Sequence, residues 1–261
     1  MGKKNAREAH LLNILHSTGR VTTAEAVELL GVSEATVRRM FSELERSGRA
    51  LRDYGGIRPS GHAGDFSFEL REKVFQQEKM RIGRLAASFV EDGDTIYLDC
   101  GTTLLQMALA LSERISGGAF HSLNLITNSI ANVQAIAPSP LCRLILVGGE
   151  YSSDQRDFSG PLTEKYVSPF HFSKCFLGCD GLAEQMGFSS NLFSISSLNS
   201  AVMERSDKTF ILLDDSKFGH RSLVSYATLD EVDAVVTNRA PDEALYEALT
   251  QAGVELHVAS R

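Results

Sequence analysis

Apolar positions in the first 50 residues recur at the three- and four-residue spacing of amphipathic helices. The segment REAHLLNILHSTG, residues 7–19, predicts a first helix that ends at its glycine. A second helix is predicted in TTAEAVELLG, where Thr22 and Glu25 have capping-box spacing and Gly31 ends the pattern. Ser33 is a typical N-cap for a third helix. The chain therefore begins with three predicted helices.

The pattern then changes to two short extended pieces around paired glycines. The pieces are residues 50–52 and 57–58, and residues 53–56, Asp-Tyr-Gly-Gly, lie between them. Glycines permit the positive φ of a tight hairpin. Helix, turn, helix and hairpin in this order predict a winged helix-turn-helix domain in residues 1–60.

The outward face of the third helix carries small side chains and then Arg38 and Arg39, a pattern that suits a DNA groove. Each arginine can bind guanine, which specifies sequence, or phosphate, which only positions the protein. A solvated helix face is the plain alternative. The predicted DNA-binding residues are Thr23, Ser33, Glu34, Ala35, Thr36, Arg38, Arg39, Ser42, Arg52, Tyr54 and Gly55.

The rest of the chain alternates extended apolar runs with helical patterns, after a polar linker predicted at residues 61–75. The runs are residues 95–99, 123–127, 143–149, 174–180, 209–215, 233–237 and 254–259. Strands that alternate with helices along the chain favour a mostly parallel sheet with helices on both faces. The predicted fold class is therefore α/β, with a winged helix-turn-helix domain followed by a larger α/β domain at residues 76–261.

Charge is divided unevenly between these two parts. Residues 1–60 contain ten Lys and Arg and seven Asp and Glu, a net charge of +3, whereas the remaining residues carry 16 and 26, a net charge of −10. A basic end on an acidic chain suggests an anionic partner for that end.

Composition excludes several classes of protein. The chain contains no run of about 18 apolar residues, so no membrane span is predicted. Its first residues lack the apolar region of a secretion signal. The 4 cysteines show no CxxC spacing and the 7 histidines are scattered, which indicates reduced thiols and no metal site. We expect a cytoplasmic protein without a cofactor.

Small, polar or charged residues follow five of the predicted strands. Because ligands bind beyond the carboxyl ends of parallel strands, these residues could form one site. Gly101 lets the backbone approach a ligand, while Thr102, Thr103 and Lys217 suit a phosphate, and the acids and amides suit hydroxyl groups. The predicted effector-binding residues are Asp99, Gly101, Thr102, Thr103, Asn128, Ser129, Gly148, Gly149, Asp180, Asp215 and Lys217. Such residues are also ordinary in strand-to-helix turns.

These motifs together resemble the DeoR family of bacterial transcriptional regulators. VSEATVRRMFSELERSGRALRDYGG is similar to the family's recognition-helix and wing pattern, and DGDTIYLDCGTT, TNS, LVGGEY, DG and DDSKFG occur in the family's order. The resemblance implies a repressor whose C-terminal domain is similar in fold to ribose-phosphate isomerases and senses a phosphorylated sugar. It also implies dimers or tetramers.

This chain departs from the family pattern in two places. Met40 and Phe41 stand where the family has Asp and Leu. Ser194 to Ser197 stand where the family usually has Glu before a helix.

The leading hypothesis is a repressor of a carbohydrate-utilisation operon that a phosphorylated sugar releases from its operator. An alternative is a sugar-phosphate isomerase with an accessory DNA-binding domain, using a strand-end aspartate as base with Lys217 beside it. No second acid has a clear catalytic placement, so we expect no enzyme. A third possibility is a DNA-binding structural protein whose ligand pocket is not used.

Overall fold

The computed structural model describes most of the chain, which divides into two compact units, Met1–Phe66 and Ser67–Arg261. The described residues are 7–8, 10–12, 14–15, 21–47, 49–53, 55–59 and 68–260. None of the helices within these ranges is long and apolar enough to cross a membrane.

Helices and a three-stranded antiparallel sheet form the first unit. Its elements are β1 (Val21–Thr22), α1 (Thr23–Leu30), α2 (Glu34–Arg46), β2 (Ala50–Asp53) and β3 (Gly56–Pro59). The strands lie in the order β1, β3, β2. The described residues between 7 and 15 are also helical, and Leu11, Leu12 and Leu15 are buried in the core that α2 completes.

The predicted caps of the two helices are confirmed. Thr22 Oγ1 accepts a hydrogen bond from the N–H of Glu25, whose carboxylate accepts one from the N–H of Thr22 in return. Gly31 ends α1 in the left-handed conformation at φ 59°, and Ser33 caps α2 by accepting from the N–H of Thr36. These local bonds satisfy N–H groups that the first turn leaves free.

Helix α3 (Phe68–Lys73) lies within the predicted linker of residues 61–75, which is therefore wrong for this stretch. Phe68 is fully buried against Leu105 and Ala131, and its N–H donates to the carbonyl of Asp154. The linker prediction rested on the polar composition of this segment, which does not show that Phe68 is buried.

The second unit is built on seven parallel strands. They are β4 (Thr95–Leu98), β5 (Leu123–Thr127), β6 (Cys142–Leu146), β9 (Lys174–Gly178), β12 (Thr209–Leu212), β14 (Ala234–Thr237) and β15 (Glu255–Val258). Their order is β15, β14, β12, β9, β4, β5, β6. The chain runs outward from β4 through β5 to β6 and then returns to β9 on the other side of β4. The strand order therefore reverses between β4 and β9, the kind of switch point where α/β proteins bind ligands.

Helices cover both faces of this sheet. They are α4 (Gln76–Ser88), α5 (Thr102–Ser116), α6 (Ile130–Ala135), α7 (Pro161–Val167), α8 (Phe193–Met203) and α9 (Glu243–Gln251). Helices α4 and α5 bury their apolar residues with Ile96 and Leu98, whereas α8 and α9 pack on the face of Tyr97. The alternation of neighbouring side chains along β4 accounts for these two cores.

Shorter strands that the sequence did not predict complete the unit. They are β7 (Glu150–Ser152), β8 (Asp157–Ser159), β10 (Gly181–Ala183), β11 (Gly187–Ser190) and β13 (Val224–Ala227). Strands β7 and β8 form a hairpin, and β10, β11 and β13 form a small sheet of their own. Each of these five strands has only three or four residues. The alternation of apolar and polar side chains is then too short to predict a strand from the sequence.

Candidate functional sites

The recognition helix α2 buries one face and exposes the other. Val37, Met40, Phe41 and Leu44 are buried. Arg38 and Arg39 are exposed on the opposite side. The position at which this chain departs from the family pattern with Met40 therefore belongs to the core of the domain.

The rest of the predicted DNA-binding face lies on the exposed side of α2. Thr36 is half-buried. The other predicted residues of this turn and helix are exposed, namely Ser33, Glu34, Ala35, Arg38, Arg39 and Ser42. The helix therefore presents its small N-terminal side chains and its arginines on one continuous surface.

The wing lies beside this exposed face. Arg52 donates from Nη1 to Ser42 Oγ at 3.4 Å, which joins strand β2 to the recognition helix. Thr23 donates both its N–H and its hydroxyl to the carbonyl of Gly55 at 2.8 and 3.0 Å. The structure thus brings the predicted residues of helix and wing together, while Tyr54 lies outside the described residues.

The two arginines differ in their partners. Arg38 forms an ion pair with Glu34 one turn earlier, at 2.7 Å. Arg39 is exposed and makes no hydrogen bond or ion pair with the residues that the structure describes. A free guanidinium on the groove-facing side of a recognition helix is available for phosphate or a base edge.

The second candidate site lies at the carboxyl edge of the parallel sheet. Asp99 follows β4 at the switch point and is 1% exposed. Its Oδ2 accepts from the N–H of Gly178 at 3.2 Å and from the amide of Asn199 at 3.4 Å. Asn132 donates to the carbonyl of Asp99 at 2.8 Å and to Thr127 Oγ1 at 3.1 Å. The carboxylate of Asp99 is therefore held by β9 and α8, and its backbone carbonyl by α6.

Burial raises the pKa of Asp99, and the nearby carboxylate of Asp157 contributes to this rise, to about 6 in all. Burial also raises the pKa of Asp157, which is 1% exposed, although Arg71 opposes that effect. The thiol of Cys100 lies beside both acids, and its pKa is raised well above the usual value, chiefly by burial. Two buried acids thus share one region of the edge.

Asp157 reaches this region through the β7–β8 hairpin, which folds back over the strand ends. The N–H of Phe158 donates to the carbonyl of Asn128 at 2.8 Å, and Asn128 returns an amide bond to the carbonyl of Phe158 at 3.0 Å. Ser129 pairs with Asp157 as an isolated bridge. Sequence reasoning missed Asp157 because it follows no strand of the large sheet.

Several buried oxygen atoms at this edge have no hydrogen-bond partner among the described residues. They are Oδ1 of Asp99, Oδ1 of Asn128, Oδ1 of Asn132, both carboxylate oxygens of Asp157 and Oδ1 of Asn199. All of them are acceptors, or belong to groups that are acceptors when ionised. Because buried polar atoms are normally paired, this set suits a ligand or waters that donate several hydrogen bonds.

Helix α5 begins beside these acceptors. Gly101 precedes it at φ 108°, a conformation that a side chain would strain. Thr102 and Thr103 are nearly buried, at 7% and 8% exposure, and the first intrahelical bond is donated by Leu105 to the carbonyl of Gly101. The N–H groups before it are the free donors of a helix N-terminus, as the sequence predicts for this turn.

Other predicted effector-binding residues have partners within the protein. Ser129 caps α6 by accepting from the N–H of Asn132 at 3.3 Å. Asp180 accepts from Ser190 Oγ and from the N–H of Asn191. These bonds give both side chains a structural role.

The remaining predicted residues lie toward the two flanks of the site. Asp215 and Asn238 exchange two hydrogen bonds of 2.8 Å. A Cβ on Gly149 would lie 1.9 Å from Thr163 Oγ1, so close packing requires glycine there, whereas a Cβ on Gly148 would meet nothing within 4 Å. Lys217 lies in the short 3₁₀ helix after β12 and is half-buried.

Comparison with known proteins agrees with this architecture. Residues 7–60 match the profile of the DeoR-like helix-turn-helix domain, and residues 74–239 match that of the DeoR C terminal sensor domain. The chain belongs to the DeoR family of transcriptional regulators. The resemblance inferred from sequence is confirmed, as is the α/β fold with an N-terminal winged helix-turn-helix.

Three curated relatives of this DeoR-family chain are named as repressors. The HTH-type transcriptional repressor GlcR of Bacillus subtilis (strain 168) is 32% identical over 95% of this chain and 93% of its own length. The glycerol-3-phosphate regulon repressor of Escherichia coli (strain K12) is 27% identical over 98% and 99%. The lactose phosphotransferase system repressor of Staphylococcus epidermidis (strain ATCC 12228 / FDA PCI 1200) is 30% identical over 90% and 92%. The chain is therefore a DNA-binding regulator rather than an enzyme.

A solved structure gives a more distant likeness. Ribose 5-phosphate isomerase A from Methanocaldococcus jannaschii shares 17% identity, covers 55% of each chain and has a TM-score of 0.40. A likeness of this extent does not bear on the function of the DeoR-family sensor.

Proposed function

We propose that this chain represses carbohydrate-utilisation genes, binds its operator as a homodimer or homotetramer, and is released by a phosphorylated sugar. The single observation that carries the sensing half is the set of buried, unpartnered acceptor oxygens beside the N-terminus of α5. Acceptors suit sugar hydroxyls, and a helix N-terminus suits a phosphate.

The DNA-binding half rests on the exposed face of α2 and the adjoining wing. Good bidentate arginine–guanine pairs contribute about 1–3 kcal/mol of discrimination each. Because a single small domain binds DNA weakly, two copies on a palindromic or repeated site are expected. The relatives' names, which refer to glycerol 3-phosphate and to a lactose phosphotransferase system, support a carbohydrate signal.

Sugar binding can change DNA binding only through a difference in affinity between two arrangements of the protein. The sugar phosphate is proposed to bind more tightly to the arrangement that cannot occupy both half-sites. Linkage then requires that operator DNA weaken sugar-phosphate binding by the same factor, which calorimetry with and without DNA can measure.

Fluorescence anisotropy tests the proposal on the full chain with a duplex from the region upstream of its gene. A panel of triose, pentose and hexose phosphates is compared with the same sugars lacking phosphate. We expect one phosphorylated sugar to weaken DNA binding and its unphosphorylated form to have no effect. Light scattering after size-exclusion chromatography should give the mass of a dimer or tetramer.

Matched variants separate the two halves of the proposal. Arg38→Ala with Arg39→Ala should abolish operator binding, and undiminished binding by this double variant would refute the DNA interface. Asp157→Asn should lose the response to the sugar phosphate, whereas Asp154→Asn, an exposed aspartate of the same hairpin, should keep it. If no phosphorylated sugar changes DNA affinity, the chain is a DNA-binding protein with an unused pocket.

A further inference from the structure

A lysine that is almost completely buried lies near the effector site without a carboxylate at ion-pair distance. Lys79, in the first turns of α4, is 6% exposed. Its Nζ donates to the carbonyl of Arg71 at 2.7 Å, and no carboxylate oxygen of the described residues lies within 4.0 Å of it. A buried ammonium is costly unless it is paired, so its position requires an explanation.

The packing of α4 on α5 places Lys79 at the start of α5. A Cβ on Gly83 would lie 2.5 Å from backbone atoms of Gln106 and Met107, so the helices touch there. Arg114, two turns further along α5, donates to the carbonyls of Ala87 and Val90. The two helices therefore run in the same direction, and Lys79, one turn before Gly83, lies beside the first turn of α5.

Arg71 of α3 connects this lysine to the two buried acids. It donates from Nη2 to Gln155 Oε1, and its Nε is buried without a partner among the described residues. It lies close enough to Asp157 and Cys100 to lower the pKa of both groups. The Nε–H of Arg71 therefore remains available as a donor, near both Asp157 and Lys79.

A third cation, Lys217, lies near Lys79. Besides burial, the buried acid Asp214 raises the pKa of Lys79 and the ammonium of Lys217 lowers it, so both groups lie near Lys79. Three cationic side chains from separate segments thus converge on the edge at which α5 presents its free N–H groups. Cationic donors with the N-terminus of a helix are the usual partners of a phosphate group.

We propose that Arg71 and Lys79 bind the phosphate of the effector, while the unpartnered acceptors around Asp99 and Asp157 receive its hydroxyl groups. This inference rests on the proposed function and adds two residues that follow no strand of the sheet. Cationic donors and unpartnered acceptors therefore occur together at this edge, which matches a ligand that carries both an anionic group and hydroxyl groups.

The placement of these two residues has a consequence for regulation. Helices α3 and α4 are the first described elements of the second unit along the chain. A phosphate held jointly by Arg71 and Lys79 ties α3 to the start of α5, in addition to the buried anchor of Phe68. Effector binding therefore stabilises the segment through which the sensor is joined to the DNA-binding unit.

Calorimetry with inorganic phosphate, at constant ionic strength, tests the inference on the full chain. Lys79→Met and Arg71→Met keep much of the apolar stem and remove the charge, and we expect each to bind phosphate at least about tenfold more weakly than wild type. The matched control is Lys208→Met, an exposed lysine beside the opposite end of β12, which should bind as wild type does.

Hydrogen exchange measured with and without phosphate gives a second readout, in which each variant without phosphate is its own reference. Phosphate should slow exchange at residues 68–79 in wild type and in Lys208→Met, but not in Lys79→Met. Equal phosphate binding by wild type, Lys79→Met and Arg71→Met would overturn the inference, as would no phosphate binding by wild type at tens of millimolar. If a sugar phosphate still releases wild type from DNA, the proposed function survives that result.

Discussion

The carboxylate of Asp99 accepts a hydrogen bond from the N–H of Gly178 at 3.2 Å, across the point where the strand order reverses. Oδ2 is held by this bond, while Oδ1 is buried with no partner among the described residues. The sheet therefore fixes the acid in place and leaves one oxygen for an incoming donor. Such a group favours binding at the expense of stability.

Replacing Asp99 should make the sensor more stable. Its pKa is raised from 3.8 to about 6, so the native state binds this proton more tightly than the unfolded chain does. The penalty for ionising Asp99 is absent below about pH 4 and complete above about pH 6. Asp99→Asn should therefore raise the free energy of unfolding at neutral pH by up to about 3 kcal/mol, measured by urea unfolding.

The higher free energy of unfolding of Asp99→Asn should disappear as the pH falls toward about 4. The variant should also no longer respond to the sugar phosphate. Asp154→Asn, an exposed aspartate on the β7–β8 hairpin, should show neither effect. A variant less stable than wild type at neutral pH would show that the charged form of Asp99 is well solvated or paired.

Protonation of Lys79 should make the free energy of unfolding rise with pH, whereas ionisation of Asp99 should make it fall. Burial lowers its pKa from 10.5 to about 8, so between these values the unfolded chain binds the proton more tightly. The penalty for protonating Lys79 is complete below about pH 8 and lost above about pH 10.5. The stability of wild type relative to Lys79→Met should rise by up to about 3 kcal/mol over that window; a constant difference would contradict it. Chemical unfolding at several pH values provides the measurement.

Glu34 should restrain the DNA affinity of α2. It binds Arg38, and both side chains are about 60% exposed, so the ion pair contributes less than about 1 kcal/mol to stability. Glu34→Gln frees the arginine and removes a charge that repels phosphate. We expect unchanged melting, a several-fold gain in non-specific DNA affinity and a steeper salt dependence. Glu247→Gln, exposed on α9, should change none of these, and a loss of affinity in Glu34→Gln would mean that Glu34 contacts DNA.

Arg39→Ala alone should weaken operator binding by about 1–3 kcal/mol, because this guanidinium has no partner among the described residues to release before it binds DNA. Anisotropy at two salt concentrations separates the two roles of the arginine. A loss shared by all DNA sequences, with a shallower salt slope, indicates phosphate contact, whereas a loss confined to the operator indicates base contact. Arg205→Ala, exposed in the sensor, is the control, and full affinity in Arg39→Ala would remove Arg39 from the interface.

Met40→Asp should destabilise the DNA-binding unit rather than create a DNA contact. Met40 is 5% exposed in the core of that unit, and a carboxylate there would be buried without a partner, at a cost of about 2–4 kcal/mol. Thermal unfolding followed by circular dichroism should show the loss, with the sensor transition unchanged. Tighter DNA binding at unchanged stability would show that this position faces the duplex.

Much of the first unit could be predicted because its signals are local. The Thr22–Glu25 capping box, the left-handed Gly31 and the Ser33 cap each depend on bonds between residues two to four apart. The seven strands of the large sheet were likewise predicted to within a few residues, since apolar runs of their length between helical patterns are distinctive.

The site could be predicted only in part. Parallel strands bring their ends to one edge, so chain order alone predicts that Asp99, Gly101 and the first turn of α5 lie at that edge. Chain order could not show that Asp180 and Asp215 are already bonded to neighbouring residues. Those partners, Asn191 and Asn238, directly follow β11 and β14, and they reach the two acids through strand pairing in two different sheets.

The sequence by itself therefore determined the two-part architecture and the helix caps, because these follow from periodicity and short-range bonds, and its motifs indicated the family by resemblance. Only the tertiary structure decided that Asp157 joins Asp99, and that Arg71 and Lys79 lie beside α5. Each of these residues reaches its position through packing between segments far apart in the chain, and no spacing along the sequence records such packing.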